Sequence, residues 1–269
     1  MNAPFFVVDA FTDRPFRGNP AAVVVLDGPY PTDEVMQSVA TEFRHSETAF
    51  LSPDGPGVWQ LRWFTPTVEI DLCGHASLAA THVLGGTPVF LTRGGRLRGR
   101  VPSPGRVELD LPADPPAEID EPDGLRAALG GADILGVGRG RYDLLVQVGS
   151  AEQVRTLVPD TGALGRLPFR GVVITAPDDA GAGVVTRCFY PAVGVPEDPA
   201  SGSAHCTVGG WWFDRMGVDR LVARQLSHRT GTIVISRGAG HVQLSGNAVT
   251  VMWGRIPLPA QAPGNGEFT

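Results

Sequence analysis

The chain has 269 residues and a net charge of −6, and every one of its 22 basic Lys+Arg positions is an arginine. Without an ε-amine there can be no internal aldimine with pyridoxal phosphate, no Schiff-base aldolase and no P-loop lysine. An acidic chain of pI about 5.5 also lacks the basic patch on which nucleic acids and anionic membranes are held, so neither is expected as a partner.

A hydrophobic content of 42% can build a sizeable core, and 35 glycines with 24 prolines point to a strand-rich, turn-rich fold. Phe5 to Phe11 reads as a strand, followed by a turn-rich stretch from Arg14 to Pro20 and a second strand from Ala21 to Leu26. Thr32 is placed to cap a helix over Asp33 to Phe43, with Met36, Val39, Ala40 and Phe43 on one face. Strands at Thr48 to Leu51 and Trp59 to Phe64 precede a small-residue helix that opens at Asp71 to Gly74 and ends near Leu84. Val89 to Asp110 reads as a hairpin meander with turns at Gly94-Gly95 and Pro102 to Gly105.

Leu111 to Asp123 holds four prolines and five acidic residues and is the best linker candidate. It divides the chain into lobes at 1–118 and 119–258, with a tail at 259–269. A helix is expected near Gly124 to Leu129, a flexible turn over Gly136 to Gly140, a strand at Tyr142 to Val148 and a helix at Ala151 to Leu157. Strands at Val172 to Ala176 and Gly183 to Tyr190 lead to a helix over Ala204 to Met216. Thr232 to Ser236, His241 to Ser245 and Ala248 to Ile256 close the second lobe as a meander. No apolar window is long enough to span a bilayer, Met1 to Phe6 does not resemble a signal peptide, and three cysteines suit a reducing cytoplasm.

A repeat organises this string. Arg62-Trp63-Phe64-Thr65-Pro66 is matched by Arg187-Cys188-Phe189-Tyr190-Pro191, and a small-residue turn opens a helix after each: Cys73-Gly74-His75-Ala76 and Ser201-Gly202-Ser203-Ala204. Arg-Gly turns at Arg93-Gly94 and Arg237-Gly238 complete the parallel, so two similar α+β lobes are the economical reading. Each Gly-containing turn puts free N–H groups at a helix start, where the dipole favours an anion. Two such turns converging across a cleft would suit a substrate carboxylate and the enolate charge that grows when the adjacent carbon loses a proton.

Phe16-Arg17-Gly18-Asn19-Pro20-Ala21-Ala22-Val23, Ser46-Glu47-Thr48-Ala49-Phe50, Leu72-Cys73-Gly74-His75-Ala76 and the run from Glu197 to Cys206 appear in this order. In them the chain resembles the PhzF-like (phenazine biosynthesis) isomerase family from Phe5 to about Pro257. The resemblance implies two diaminopimelate-epimerase-like lobes, each a barrel-like sheet around a central helix, with a cofactor-free active site between them and commonly a homodimer. It implies Glu47 as the acid/base, His75, Asp198 and Ser203 as its supporting polar residues, and Gly74 and Gly202 as backbone anion-binding turns. In the phenazine enzyme such a glutamate moves a proton between carbons of a dihydro-hydroxyanthranilate.

Read from the residues alone, Glu47 at a strand start is a solvated carboxylate unless an apolar wall, here Phe50 or Phe64, raises its pKa into the proton-shuttling range. His75 reads equally as a helix-start histidine, Asp198 as a turn cap and Ser203 as an N-terminal cap. Asn19 can reach the cleft or simply sit in an Asn-Pro turn. Cys73 occupies the place of one catalytic cysteine of diaminopimelate epimerases, whereas Ser201 stands at the other, so a two-thiol racemase is not supported. Zinc is disfavoured because His205 and Cys206, the partners that Cys73 and His75 would need, are adjacent on a helix and project apart. The leading expectation is a cytoplasmic, cofactor-free isomerase of a small carboxylate-bearing metabolite. A Cys73-dependent epimerase or dehydratase and a non-catalytic carboxylate-binding protein are the alternatives.

Overall fold

The computed structural model describes residues 2–259 apart from Ala180 and Ala182. The first half contributes β1 (Asn2–Ala10), β2 (Asn19–Val25), α1 (Asp33–Phe43), β3 (Thr48–Gly55), β4 (Val58–Phe64), β5 (Glu69–Ile70), α2 (Gly74–Leu84), β6 (Val89–Thr92), β7 (Gly95–Ser103) and β8 (Arg106–Pro112). The second contributes β9 (Ala117–Glu118), α3 (Leu125–Ala128), β10 (Ile134–Arg139), β11 (Asp143–Val148), α4 (Ala151–Thr156), α5 (Thr161–Leu164), β12 (Gly171–Pro177), β13 (Gly183–Tyr190), β14 (Val195–Asp198), α6 (Gly202–Met216), β15 (Arg220–Gln225), β16 (Gly231–Arg237) and β17 (His241–Pro257).

Strand pairing runs β1–β2–β3–β4–β6–β7–β8–β17 and returns to β1, a closed barrel of eight strands. A second ring runs β10–β11–β12–β13–β15–β16–β17–β8, and the chain leads from β8 through β9, which pairs with β10. Each ring surrounds a helix. From Gly74 to Thr81 every α2 residue is buried, as expected of a helix apolar on all sides, and ten α6 residues are buried in the same way, Trp211, Trp212 and Phe213 among them. The two α+β lobes with central helices are therefore present.

The sequence repeat is a structural repeat. Arg62 forks onto Glu69 at 2.6 and 2.7 Å, and Arg187 forks onto Glu197 at 2.7 and 2.9 Å. Gly136 to Gly140 differs from the expected turn, because most of it is strand β10. A Cβ at Gly138 would lie 2.7 Å from the Trp211 ring and one at Gly136 3.0 Å from it, so these glycines admit an indole rather than provide flexibility. His241 to Ile256 is one strand rather than two. Its first part pairs with β8 and β16, and residues 248–257 pair with β1. Leu258 is buried against Ala3, Met36 and Phe50, and the tail expected after it lies outside the described residues from 260 onward. Among the described residues no helix is long and apolar enough to cross a membrane.

Candidate active site

The starts of α2 and α6 abut. A Cβ added at Gly74 would lie 2.9 Å from the Gly202 Cα, and one at Gly202 would lie 2.8 Å from the Gly74 Cα. Only glycine allows two backbones so close. The residues preceding the helices, Cys73 and Ser201, are extended and make no side-chain cap bond. The first amides of both helices thus lack side-chain caps, and the positive ends of both dipoles meet at this junction.

Glu47 sits directly before β3, beside the start of α2. Its Oε2 is 3.1 Å from His75 Nε2, with the carboxylate 16% exposed and the imidazole 6%. Ser46 Oγ is 3.3 Å from the same nitrogen, and Cys73 Sγ is 3.6 Å from His75 Nδ1. Burial opposes the Glu47 charge, but the His75 cation first, and then the polar groups of Ser46 and Cys73 beside it, outweigh burial and hold the pKa below the usual 4.5. For His75 burial works the other way, yet the Glu47 charge and the hydrogen bonds to Cys73 and Glu47 carry its pKa well above 6.5. At neutral pH the pair is carboxylate and imidazolium. Burial first, and then the Glu47 charge, push the Cys73 thiol up, which removes the thiolate that a helix start would otherwise favour.

The apolar wall expected to raise the Glu47 pKa does not set it. Phe50 and Phe64 meet edge to face at 5.6 Å in a separate cluster with Met36 and Leu258, and the shift at Glu47 runs downward.

A second cluster lies beside the first. Asn19 Nδ2 donates to Asp198 Oδ1 at 2.9 Å and to the Ala200 carbonyl at 3.0 Å, while Ser201 Oγ donates to Asp198 Oδ2. Burial raises the Asp198 pKa. Ser46 Oγ also donates to Asn19 Oδ1 at 3.4 Å and so links the two clusters. Ser203 stands apart from the carboxylates, its Oγ accepting from Arg170 Nη2 at 3.3 Å.

The expected residues thus fall into three groups: Glu47, Cys73 and His75; Asn19, Asp198 and Ser201; and Gly74 against Gly202, with Ser203 on the flank. Ser46, Gln225 and Arg170 were not foreseen. Gln225 takes the Ser201 N–H at 2.8 Å and donates to the Asp198 carbonyl at 2.6 Å, which fixes the turn before α6. No local pattern in the sequence marks it; the structure shows it buried at the end of β15. His205 donates from Nδ1 to the Ser201 carbonyl at 2.6 Å and accepts from Thr186 through Nε2 at 3.2 Å, so both ring nitrogens are engaged away from Cys73. The ligand-type atoms that do converge, within 4.8 Å of one another, belong to Glu47, Cys73 and His75. A cavity of about 450 Å³ opens elsewhere, beside Phe11, Arg14, Arg17 and Arg106.

The ion pair gives a pH-dependent prediction. His75→Gln leaves a buried carboxylate without its cation and should cost about 3 kcal/mol near pH 6. The Glu47 contribution is present above the unfolded value of 4.5 and is lost as pH falls through its lowered pKa. The His75 contribution is complete below 6.5 and is lost as pH rises through its raised pKa. Thermal melts from acid to alkali should therefore show the widest gap between wild type and variant at about pH 4.5 to 6.5. A gap that widens in alkali would contradict the imidazolium assignment.

Comparison with known proteins agrees with this architecture. The family model described as phenazine biosynthesis-like protein (PhzC-PhzF) matches residues 8–254. An uncharacterized isomerase of Pseudomonas aeruginosa is 45% identical, covering 96% of this chain and 100% of its own length. A crystal structure of a PhzF-family protein from Enterococcus faecalis superposes with a TM-score of 0.90 at 37% identity, covering 96% of this chain and 100% of that one. A hydroxyproline epimerase from Agrobacterium vitis shares the fold at a TM-score of 0.62 and 12% identity, covering 95% of this chain and 92% of its own. The overall fold is thus shared with that epimerase, and the chain belongs to the phenazine biosynthesis-like (PhzC-PhzF) family as an enzyme of the isomerase class.

Proposed function

We propose that the protein moves a proton between two carbons of a small carboxylate-bearing metabolite, with Glu47 as the only base. The first lobe, residues 1–118, supplies Glu47, Cys73, Gly74 and His75. The second, residues 119–258, supplies Asp198, Ser201, Gly202 and Ser203. The substrate carboxylate lies against the uncapped amides at the Gly74–Gly202 junction. The Glu47 carboxylate takes a proton from the adjacent carbon, and the electron pair left behind spreads into the carboxylate as an enolate held by those amides. Glu47, now a neutral acid, returns the proton at another carbon of the conjugated system, and no redox partner is consumed. His75, 3.1 Å away, steadies the carboxylate before transfer and keeps it oriented afterwards. Asp198, its pKa raised by burial, serves with Asn19 as a partner for a substrate amine or hydroxyl. Following the family resemblance, we extend the reading to a cytoplasmic homodimer.

The observation that carries this reading is the buried Glu47–His75 pair beside two meeting helix starts. Register explains why one base acts alone. Arg62 lies opposite Phe50 and Arg187 opposite Ile174, which aligns Glu47 with Gly171 and Ser46 with Arg170. A Cβ at Gly171 would lie 2.0 Å from the Tyr190 ring, so the second lobe has no room for a matching carboxylate. A racemase needs bases on opposite faces of the carbon. With a single base the proton leaves and returns on one face, and the outcome is isomerisation.

The test is incorporation of solvent deuterium into cyclic and α-amino carboxylates, read by mass spectrometry. Wild type should label its substrate, and Cys73→Ser should retain exchange within about threefold, because a serine hydroxyl can replace the thiol beside His75 Nδ1 and no base is lost. Loss of exchange in Cys73→Ser would transfer the chemistry to the thiol and favour an epimerase or dehydratase. Ligand binding by calorimetry without exchange would favour a carboxylate-binding protein.

A further inference from the structure

We propose that Arg170 and Ser203 form a second anion subsite on the lobe facing Glu47, and that the substrate is a dicarboxylate. The inference rests on the proton-transfer reading for the first carboxylate and goes beyond it for the second.

Arg170 directly precedes β12 and aligns with Ser46, the residue before the base in the other lobe. Its guanidinium is rigidly held. Nε donates to Asp143 Oδ1 at 2.8 Å and Nη2 to Asp143 Oδ2 at 2.6 Å. Asp143 is 2% exposed and lies behind the guanidinium, where Tyr190 OH reaches its Oδ2 at 3.5 Å. The cation sits 5.1 Å from the Tyr142 ring centre and 5.3 Å from that of Tyr190. A planar fork braced in this way loses little freedom when it takes a ligand.

Two kinds of donor remain open. Nε and Nη2 are used, whereas Nη1 has no hydrogen-bond partner among the described residues, and the Arg170 side chain is 32% exposed. Ser203 Oγ accepts from Arg170 Nη2, so its own proton is free to point at another acceptor. The Ser203 backbone N belongs to the helix junction, 3.2 Å from a Cβ built on Gly74. Ser203 therefore joins the site of the first carboxylate to two donors suited to a second, Arg170 Nη1 and its own hydroxyl.

Calorimetry on wild-type protein with four- to seven-carbon aliphatic dicarboxylates and their monoamides tests this. At one chain length the dicarboxylate should bind at least tenfold more tightly than its monoamide. Arg170→Met alone strands the buried Asp143 charge and risks misfolding, so Arg170→Met with Asp143→Leu is the informative variant. The preference should fall toward unity in that variant, and Ser203→Ala should reduce it part of the way. Equal affinities in wild type, a preference that survives the double variant, or no binding of either probe would overturn the subsite. If deuterium exchange is absent while the preference persists, the proposed reaction fails and the subsite stands. If exchange proceeds but the preference is absent, the subsite fails and the reaction stands.

Discussion

Glu47→Gln is expected to lower solvent-deuterium incorporation about 10³-fold, within the range that a positioned acid/base supplies. The amide matches the carboxylate in shape but cannot take a proton. Because the anion-binding amides belong to α2 and α6 rather than to Glu47, substrate affinity should change much less than exchange. The variant also frees His75 from its charged partner, so the imidazole pKa should drop, since burial is then opposed by less. Glu47→Asp keeps the charge and the pairing but withdraws the carboxylate by one methylene. A displacement of this size should cost about 10²-fold. Near wild-type exchange in Glu47→Gln would sink the assignment.

Gly202→Ala should be nearly as damaging by another route. The new methyl would lie 2.8 Å from the Gly74 Cα, 3.1 Å from its carbonyl carbon and 3.2 Å from the His75 N. All three are backbone atoms at the head of a buried helix, so no side chain can swing aside. The helices must part, at a cost of about 3 kcal/mol in strain and lost packing. For a chain of this size that is a fall of about 6–12 °C in Tm. Exchange should fall as well, by about 10²-fold, because the carboxylate-binding amides move apart. Gly74→Ala should behave alike, and the double variant should cost less than the sum, since the first methyl already opens the gap for the second. Simple additivity in melting experiments would show that the two glycines do not share one contact.

Much of the fold was legible because it follows from repetition. The matching Arg62 and Arg187 runs, each followed by a glycine turn, announce paired lobes, and the structure shows the same fork onto an acidic residue in both. What the sequence conceals is determined at long range. Gly136 and Gly138 look like hinge residues because no local pattern reveals the Trp211 ring lying on them. What sets the Glu47 pKa is likewise hidden from local sequence. A nearby phenylalanine is visible in the motif, whereas His75, 28 positions later, reaches the carboxylate only when α2 enters the barrel. Arg170 carries no motif at all and acquires meaning only through the strand register that makes it the second lobe's counterpart of Ser46.

The strand shared by both barrels also constrains how the protein is made. Asn2 pairs with Pro257, and the register continues to Ala10 opposite Ala248. Residues 2–10 thus leave the ribosome long before residues 248–257, their last neighbours, exist. Until then the first ring has two free edges, at β1 and β8, of the kind that templates unwanted strand addition. Contacts so distant in sequence make closure slow. A chain that stops before residue 241 leaves both rings open, so β17 acts as a checkpoint: neither half is finished until residues 241–257 have joined it.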